Sequence, residues 1–339
     1  MTEEFKLQLS LLNIKYSIDE IEFDKINWNQ LLIESSNNRI LYEVSKRILN
    51  SNFTNRIDEN ILVKIKDIYN LGNKHIEKTK NTILLIDKEI RKIGKEYLVC
   101  KTQKVFDFIT YDVDCLFKEA EYDEIMDYLT NKHTKEDCLK KKQVDIFVPN
   151  MIRLDMHYGF FWAGEHYIDN DIIWESKRIR KVFDVDVYTP NDTIEFILTI
   201  LNLTYERLHI PLIEYDYIRK IIKNVDMEKV RYVAQKNNWE FGLKLITTKL
   251  DQINMSLFGE SLFGNQVKKI DNIELPMLFT WYEAFKLYKE FISKRKKVPF
   301  YDIAYFIFAK IRFHLYGRKR VPIYGHGYKK LYDNSGAKY

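Results

Sequence analysis

Thr110-Tyr-Asp-Val-Asp-Cys-Leu-Phe117 is the stretch on which the fold turns. Val113, Cys115 and Phe117 fall at alternate positions, the period of a strand with one face against a core. Asp112 and Asp114 then project to the opposite side, their Cα atoms roughly 7 Å apart. Two carboxylates on one face need a partner for their charge. A hard divalent cation such as Mg²⁺ suits them, because it prefers oxygen ligands and pairs readily with phosphate substrates. Solvated carboxylates at a sheet edge explain an isolated Asp-x-Asp at least as well. Ile152-Arg-Leu-Asp-Met156 changes the balance, since it places Asp155 between apolar neighbours on a strand expected beside the first. Three carboxylates on adjacent strands can hold two metal ions roughly 3.5–4 Å apart, the arrangement that serves in-line displacement at phosphorus.

Working outward, YLVCKT (97–102), VDIFV (144–148) and MIRLDMHY (151–158) read as further strands, the last two flanking a Pro149-Asn150 turn. AEYDEIMDYLT (120–130) reads as a helix between the second and third strands, and RKVFDVDVY (180–188) as one more strand. Before Tyr97 the apolar spacing is helical and Gly94 supplies a stop. After Pro190 the helical period runs to about Tyr316. The expected fold is α+β, a small mixed sheet with helices, flanked by helical regions. The expected division is 1–78 helical, 79–190 α/β core, 191–316 helical, and 317–339 a basic, aromatic tail.

The 339 residues are 46% hydrophobic and 30% charged, with only 11 Gly and 6 Pro, which excludes disordered, collagen-like and low-complexity classes. A net charge of +5, from 54 basic and 49 acidic residues, is too small to announce a nucleic-acid binder by itself. Cys100, Cys115 and Cys138 have neither metal-ligand nor disulfide-framework spacing, which fits a reducing interior. The first residues lack signal-peptide features and no run approaches the ~20 apolar residues needed to span a bilayer. A cytoplasmic location without membrane contact is expected. No serine sits in a Gly-x-Ser-x-Gly elbow, and no His/Cys cluster has zinc-site spacing.

KTQKVFDFITYDVDCLF (101–117) with VDIFVPNMIRLDMHYGFFWAGEHYIDNDIIW (144–174) resembles the uncharacterised archaeal branch of the polymerase-β-type nucleotidyltransferase superfamily. The resemblance rests on Lys101-Thr102, the Asp112/Asp114 pair, Asp155-Met156-His157, Trp162-Ala163-Gly164 and Pro190-Asn191-Asp192-Thr193, and covers about residues 80 to 220. It implies a minimal nucleotidyltransferase fold in which Asp112 and Asp114 ligate both metals and Asp155 completes the ion beside the acceptor hydroxyl. Mg²⁺, or Mn²⁺ in its place, would be the metal, and an NTP, with ATP expected first, the nucleotide. Lys101 would neutralise triphosphate charge. The superfamily's glycine-serine loop has no counterpart between Leu98 and Tyr111, so Thr102, Gln103 and Lys104 would have to hold the phosphates, or activity has been lost. The implied reaction moves an NMP to an acceptor hydroxyl, on a tRNA or other RNA, a protein or a small molecule, and releases pyrophosphate. The competing expectation is an inactive scaffold of the same fold that binds RNA or a protein partner. Metal-dependent phosphodiester hydrolysis would use the same acids.

Other residues carry weaker signals. Asp184-Val-Asp186 is a second Asp-x-Asp but has no third acid on an obvious paired strand. His157 shares a strand face with Asp155, and so either reaches a phosphate or acceptor or is hydrogen-bonded in the cleft wall. His209, before Pro211, reads as a capping or buried histidine. Among the basic runs, only Arg318-Lys319-Arg320 interleaves with rings, at Tyr316, Tyr324, Tyr328 and Tyr332. Unstacked bases could dock on such a surface.

Overall fold

Val99, Val113, Cys115, Leu154 and Met156 are all buried, and the apolar face they share organises the central sheet. The computed structural model describes residues 1–102, 104–136, 143–148, 150–162 and 165–293. The sheet has five strands in the order β1 (Leu98–Cys100), β2 (Asp112–Leu116), β5 (Arg153–His157), β4 (Gln143–Phe147) and β3 (Thr134–Glu136). Only the β2–β5 pairing is parallel; β1–β2, β4–β5 and β3–β4 are antiparallel. The register sets Asp112 opposite Arg153 and Asp114 opposite Asp155. A parallel pair needs a long crossover, and here it contains α5 (Glu119–Thr130), which buries Ile125, Met126 and Leu129 beside the sheet.

Helices α1 (Glu3–Leu11), α2 (Trp28–Asn37), α3 (Leu41–Leu49) and α4 (Glu59–Lys92) precede the sheet. The 34 residues of α4 span about 51 Å and run unbroken across residue 78. Its early Ile61, Ile65 and Ile68 join a large helical core, while Ile83, Ile86 and Ile90 pack on the sheet. Gly94, at φ 68°, ends it, with the Lys95 N–H donating back to the Ile90 carbonyl at 3.1 Å.

After the sheet come the short strands β6 (Phe161–Trp162) and β7 (Glu165–His166), α6 (Asn170–Glu175), β8 (Arg178–Val182) and β9 (Val185–Thr189). Then follow α7 (Asp192–Leu201), β10 (His209–Ile210), α8 (Leu212–Ile221), α9 (Met227–Lys236), α10 (Glu240–Phe258), β11 (Met277–Leu278) and α11 (Trp281–Ser293). Residues from Phe5 to Leu287, near both ends of the described chain, share one core. Asn38 pins them together: its side chain accepts the Leu212 N–H at 3.1 Å and donates to the Leu275 carbonyl at 3.2 Å. No described helix is long and apolar enough to cross a membrane.

The α+β class agrees with the sequence, and several details differ. Strand β3 was not anticipated, being only three residues long. The expected single strand over 180–188 is a β8–β9 hairpin, because alternation continues through its turn and Phe183-Asp184 lacks the Asn-Gly type of signal. The helical run after Pro190 is broken by β10, β11 and a π-helical turn at Asn202–Arg207. The basic, aromatic tail, Cys138 and the Ala163-Gly164 pair lie outside the described residues.

Gly72 of α4 offers a packing test. A Cβ there would lie 2.3 Å from the Tyr42 ring of α3. Gly72→Ala is therefore expected to destabilise by about 1–3 kcal/mol through overpacking, despite the gain of about 1 kcal/mol in helix propensity. Urea unfolding that showed a stabilised variant would refute the close approach.

Candidate active site

Because β2 and β5 run parallel and in register, residues two apart on each strand line up on one face of the sheet. Asp114, Asp155 and His157 converge there, with one ligand atom from each lying within 4.8 Å of the others. The His157 Nε2 is 2.9 Å from Asp114 Oδ1 and 3.2 Å from Asp155 Oδ1. Lys101 Nζ donates to the same Asp114 Oδ1 at 2.9 Å and lies 4.6 Å from the Phe160 ring centroid. Asp112 stands apart from this cluster, on the same strand, in an ion pair with Arg153.

These contacts fix the charge states. Burial pushes the Asp114 carboxyl up, but Lys101 and His157 outweigh it and hold Asp114 well below the usual carboxylate range. Burial likewise pulls His157 down, yet Asp155 and Asp114 together bring it up to about 9. Asp112 is raised by burial and by Asp114, against the pull of Arg153. Without a metal, Asp114 and His157 are thus held as an ion pair. Charged His157 stabilises the metal-free protein fully below about pH 6.5, and that contribution disappears as pH rises through about 9. Unfolding of wild type and His157→Gln, compared across about pH 6–10, should show the variant's deficit shrinking as pH increases; a constant deficit would contradict the assigned charge.

The donor chemistry fits one divalent cation held by two carboxylate oxygens and an imidazole nitrogen. Ligation would require neutral His157 and displacement of Lys101 from Asp114, so binding releases a proton. Among the described residues, Asp112 is not part of this donor group. Of the three expected ligands the structure brings Asp114 and Asp155 together and leaves Asp112 with Arg153. His157 is the member that strand alternation placed on the right face without assigning it as a ligand.

Lys101 also makes the turn after β1, at φ 57°, a backbone region usually left to glycine. Its N–H donates to Glu195 Oε1 of α7 at 3.2 Å. A search for a glycine between Leu98 and Tyr111 therefore misses the turn. The Thr102 hydroxyl donates to the Cys100 carbonyl at 2.9 Å.

Beside Asp112 and Asp114 opens a narrow cleft of about 50 Å³, also lined by Lys101, Thr102, Arg39 and Arg207. Its far wall is a charge knot drawn from distant parts of the sequence. Glu214 meets Lys104 at 2.9 Å, Arg39 at 3.0 Å and Arg207 at 3.8 Å. Burial alone would raise Glu214, but Lys104, Arg39 and Arg207 keep it below the usual range. Burial lowers Lys104, against the attraction of Glu214. Arg207 ends the π-helical turn and Asn202, another cleft residue, begins it; π turns in helical segments occur frequently at functional sites. Neither Arg39 nor Arg207 carried a sequence signal, since each is an ordinary helix-region arginine until the fold brings it to Glu214.

The remaining sequence candidates are structural. Asn191 caps α7 by accepting the Ile194 N–H at 3.1 Å. Asp192 accepts from Arg178 and Arg180, each at 2.6 Å. Asp184 occupies the exposed hairpin turn, and Asp186 lies in β9, so the two do not form a strand-face pair. His209 is buried, its Nδ1 2.9 Å from the Arg207 carbonyl.

No family profile, curated protein or solved structure matches this chain.

Proposed function

We propose that the protein is a divalent-metal-dependent nucleotidyltransferase of polymerase-β-type fold that transfers an NMP from an NTP, ATP being the first to test, to an acceptor hydroxyl. The observation that carries this reading is the parallel register that pairs Asp114 with Asp155 at a cleft furnished with Lys101, Lys104, Arg39 and Arg207. Those four cations face three lining carboxylates, Asp112, Asp114 and Glu214, leaving an excess of positive charge that a bound cation would enlarge. Phosphates are the natural counter-charge.

Asp114, Asp155 and His157 would hold the ion, with Mn²⁺ favoured over Mg²⁺ by the nitrogen donor, and it would supply Lewis-acid polarisation to the reacting groups. Lys101, released from Asp114, neutralises phosphate charge. Lys104, Arg39 and Arg207 exchange part of their contact with Glu214 for phosphate oxygens. The acceptor oxygen forms a bond to the α-phosphorus, the bond to the bridging oxygen breaks, and pyrophosphate leaves with those electrons while the hydroxyl proton passes to a nearby carboxylate.

A second reading, a binding scaffold without catalysis, draws on a specific feature: Lys101, Arg153 and His157 already neutralise Asp114, Asp112 and Asp155. Incubating the protein with each α-labelled NTP, Mg²⁺ or Mn²⁺, and a cell extract decides between them. Label incorporated into one macromolecule or metabolite, with pyrophosphate released, is the expected result. Failure of any NTP to bind in the presence of either metal would overturn the transferase reading.

A further inference from the structure

The narrow cleft is too small for a nucleoside, but a second cavity of about 430 Å³ adjoins it and shares Thr102, Lys104 and Phe108 with it. The two differ in chemistry. The first is walled largely by charge, whereas the second is lined by the rings of Phe106, Phe108, Phe183 and Tyr217. Its lining also carries Lys104, Arg180, Lys181 and Lys220 with Asp107 and Asp184. Flat aromatic walls favour a planar π-system.

Two independent features indicate that this cavity is made for a ligand. Phe183 sits at φ 47° and Asp184 at φ 64° in the two-residue turn between β8 and β9. That turn ordinarily takes Asn or Gly, and a bulky residue with positive φ is an outlier. The strain holds the Phe183 ring at the cavity, 6.0 Å from the Phe108 ring centroid; residues kept in such conformations cluster at ligand clamps. Tyr217, which also lines the cavity, is 3% exposed, and its buried hydroxyl has no hydrogen-bond partner among the described residues. Native proteins rarely leave such a group unpaired, and a polar edge or hydroxyl on a ligand would satisfy it.

We infer that this second cavity is the nucleoside site: the base of the NTP stacks against Phe183 and Phe108, Tyr217 hydrogen-bonds its edge or its ribose, and Lys104 marks the passage to the phosphates. The inference rests on the nucleotidyltransferase reading for the identity of the ligand. Phe183 and Tyr217 are binding and specificity residues, with no part in the chemical step.

Calorimetric titration of the full chain with ATP and, separately, with inorganic tripolyphosphate, both with Mn²⁺, tests it. Phe183→Gly removes the ring while relieving the left-handed turn, with tripolyphosphate binding reporting that the fold is kept; Tyr217→Phe removes only the hydroxyl. The expected result is ATP affinity reduced at least about tenfold in Phe183→Gly, the scale of one lost base–aromatic stack, and reduced in Tyr217→Phe, with tripolyphosphate affinity unchanged in both. Wild type that binds ATP no better than tripolyphosphate, or variants that weaken the two ligands equally, would overturn the nucleoside site while leaving a phosphate-binding cleft intact. Wild type that binds neither would remove the transferase reading and this inference with it.

Discussion

Glu214→Gln is expected to lower the unfolding free energy by about 3–5 kcal/mol, the range found when one partner of a buried charge cluster is withdrawn. Gln preserves the volume, so the loss is electrostatic. Glu214 is 4% exposed and is the shared counter-charge of Lys104, Arg39 and Arg207. Lys104, whose side chain is 3% exposed, has its ammonium already disfavoured by burial. Without Glu214 that ammonium loses the main attraction opposing its burial. Because Arg39 precedes α3, Lys104 follows β1 and Glu214 lies in α8, the defect should also loosen the sheet against both helical regions. Equilibrium urea unfolding measures the change, and a deficit under about 1 kcal/mol would mean that the knot is solvated like an exposed ion pair. The same variant should bind tripolyphosphate more tightly per folded molecule, since the three cations lose their internal competitor.

The second large effect concerns the metal. Asp114→Asn should weaken Mn²⁺ affinity by more than about a hundredfold, because even partners one shell outside a metal's ligands typically carry 10–100-fold. Label transfer from NTP should fall with it. Asp114 is the residue on which Lys101 and His157 both converge, so the substitution also removes the carboxylate the two cations share. Asp112→Asn is expected to act differently: it releases Arg153 and should alter Mn²⁺ affinity far less. Equal losses in the two variants, read by Mn²⁺ titration, would show that Asp112 swings into the coordination sphere and that the sequence-based ligand set was right for both aspartates.

Local patterning made a good part of this protein legible. The strand at Asp112–Leu116 follows from alternation, with Val113 and Cys115 buried at 0% exposure and the aspartates on the other face. Gly94 announced the end of α4, because stops are chemistry between near neighbours. Asp155 could be placed beside the pair by the same reasoning, although only the parallel β2–β5 register makes it the direct partner of Asp114.

What the tertiary structure decided is who neutralises whom. Sequence alternation treats Asp112 and Asp114 as equals; in three dimensions Arg153 lies opposite the first and Asp155 opposite the second, so one is an ion-pair member and the other the centre of an Asp-Asp-His cluster. The Phe183-Asp184 turn was hidden because nothing in its composition relaxes the positive φ it adopts; its conformation is imposed by the pairing of β8 with β9 and by packing on Phe108. The Arg39–Lys104–Arg207–Glu214 knot spans 175 residues of chain between Arg39 and Glu214. Alternation, capping and helical period are properties of neighbouring residues and survive in one dimension, whereas the field at a buried carboxylate depends on every charge within a few ångströms, and that set exists only after folding.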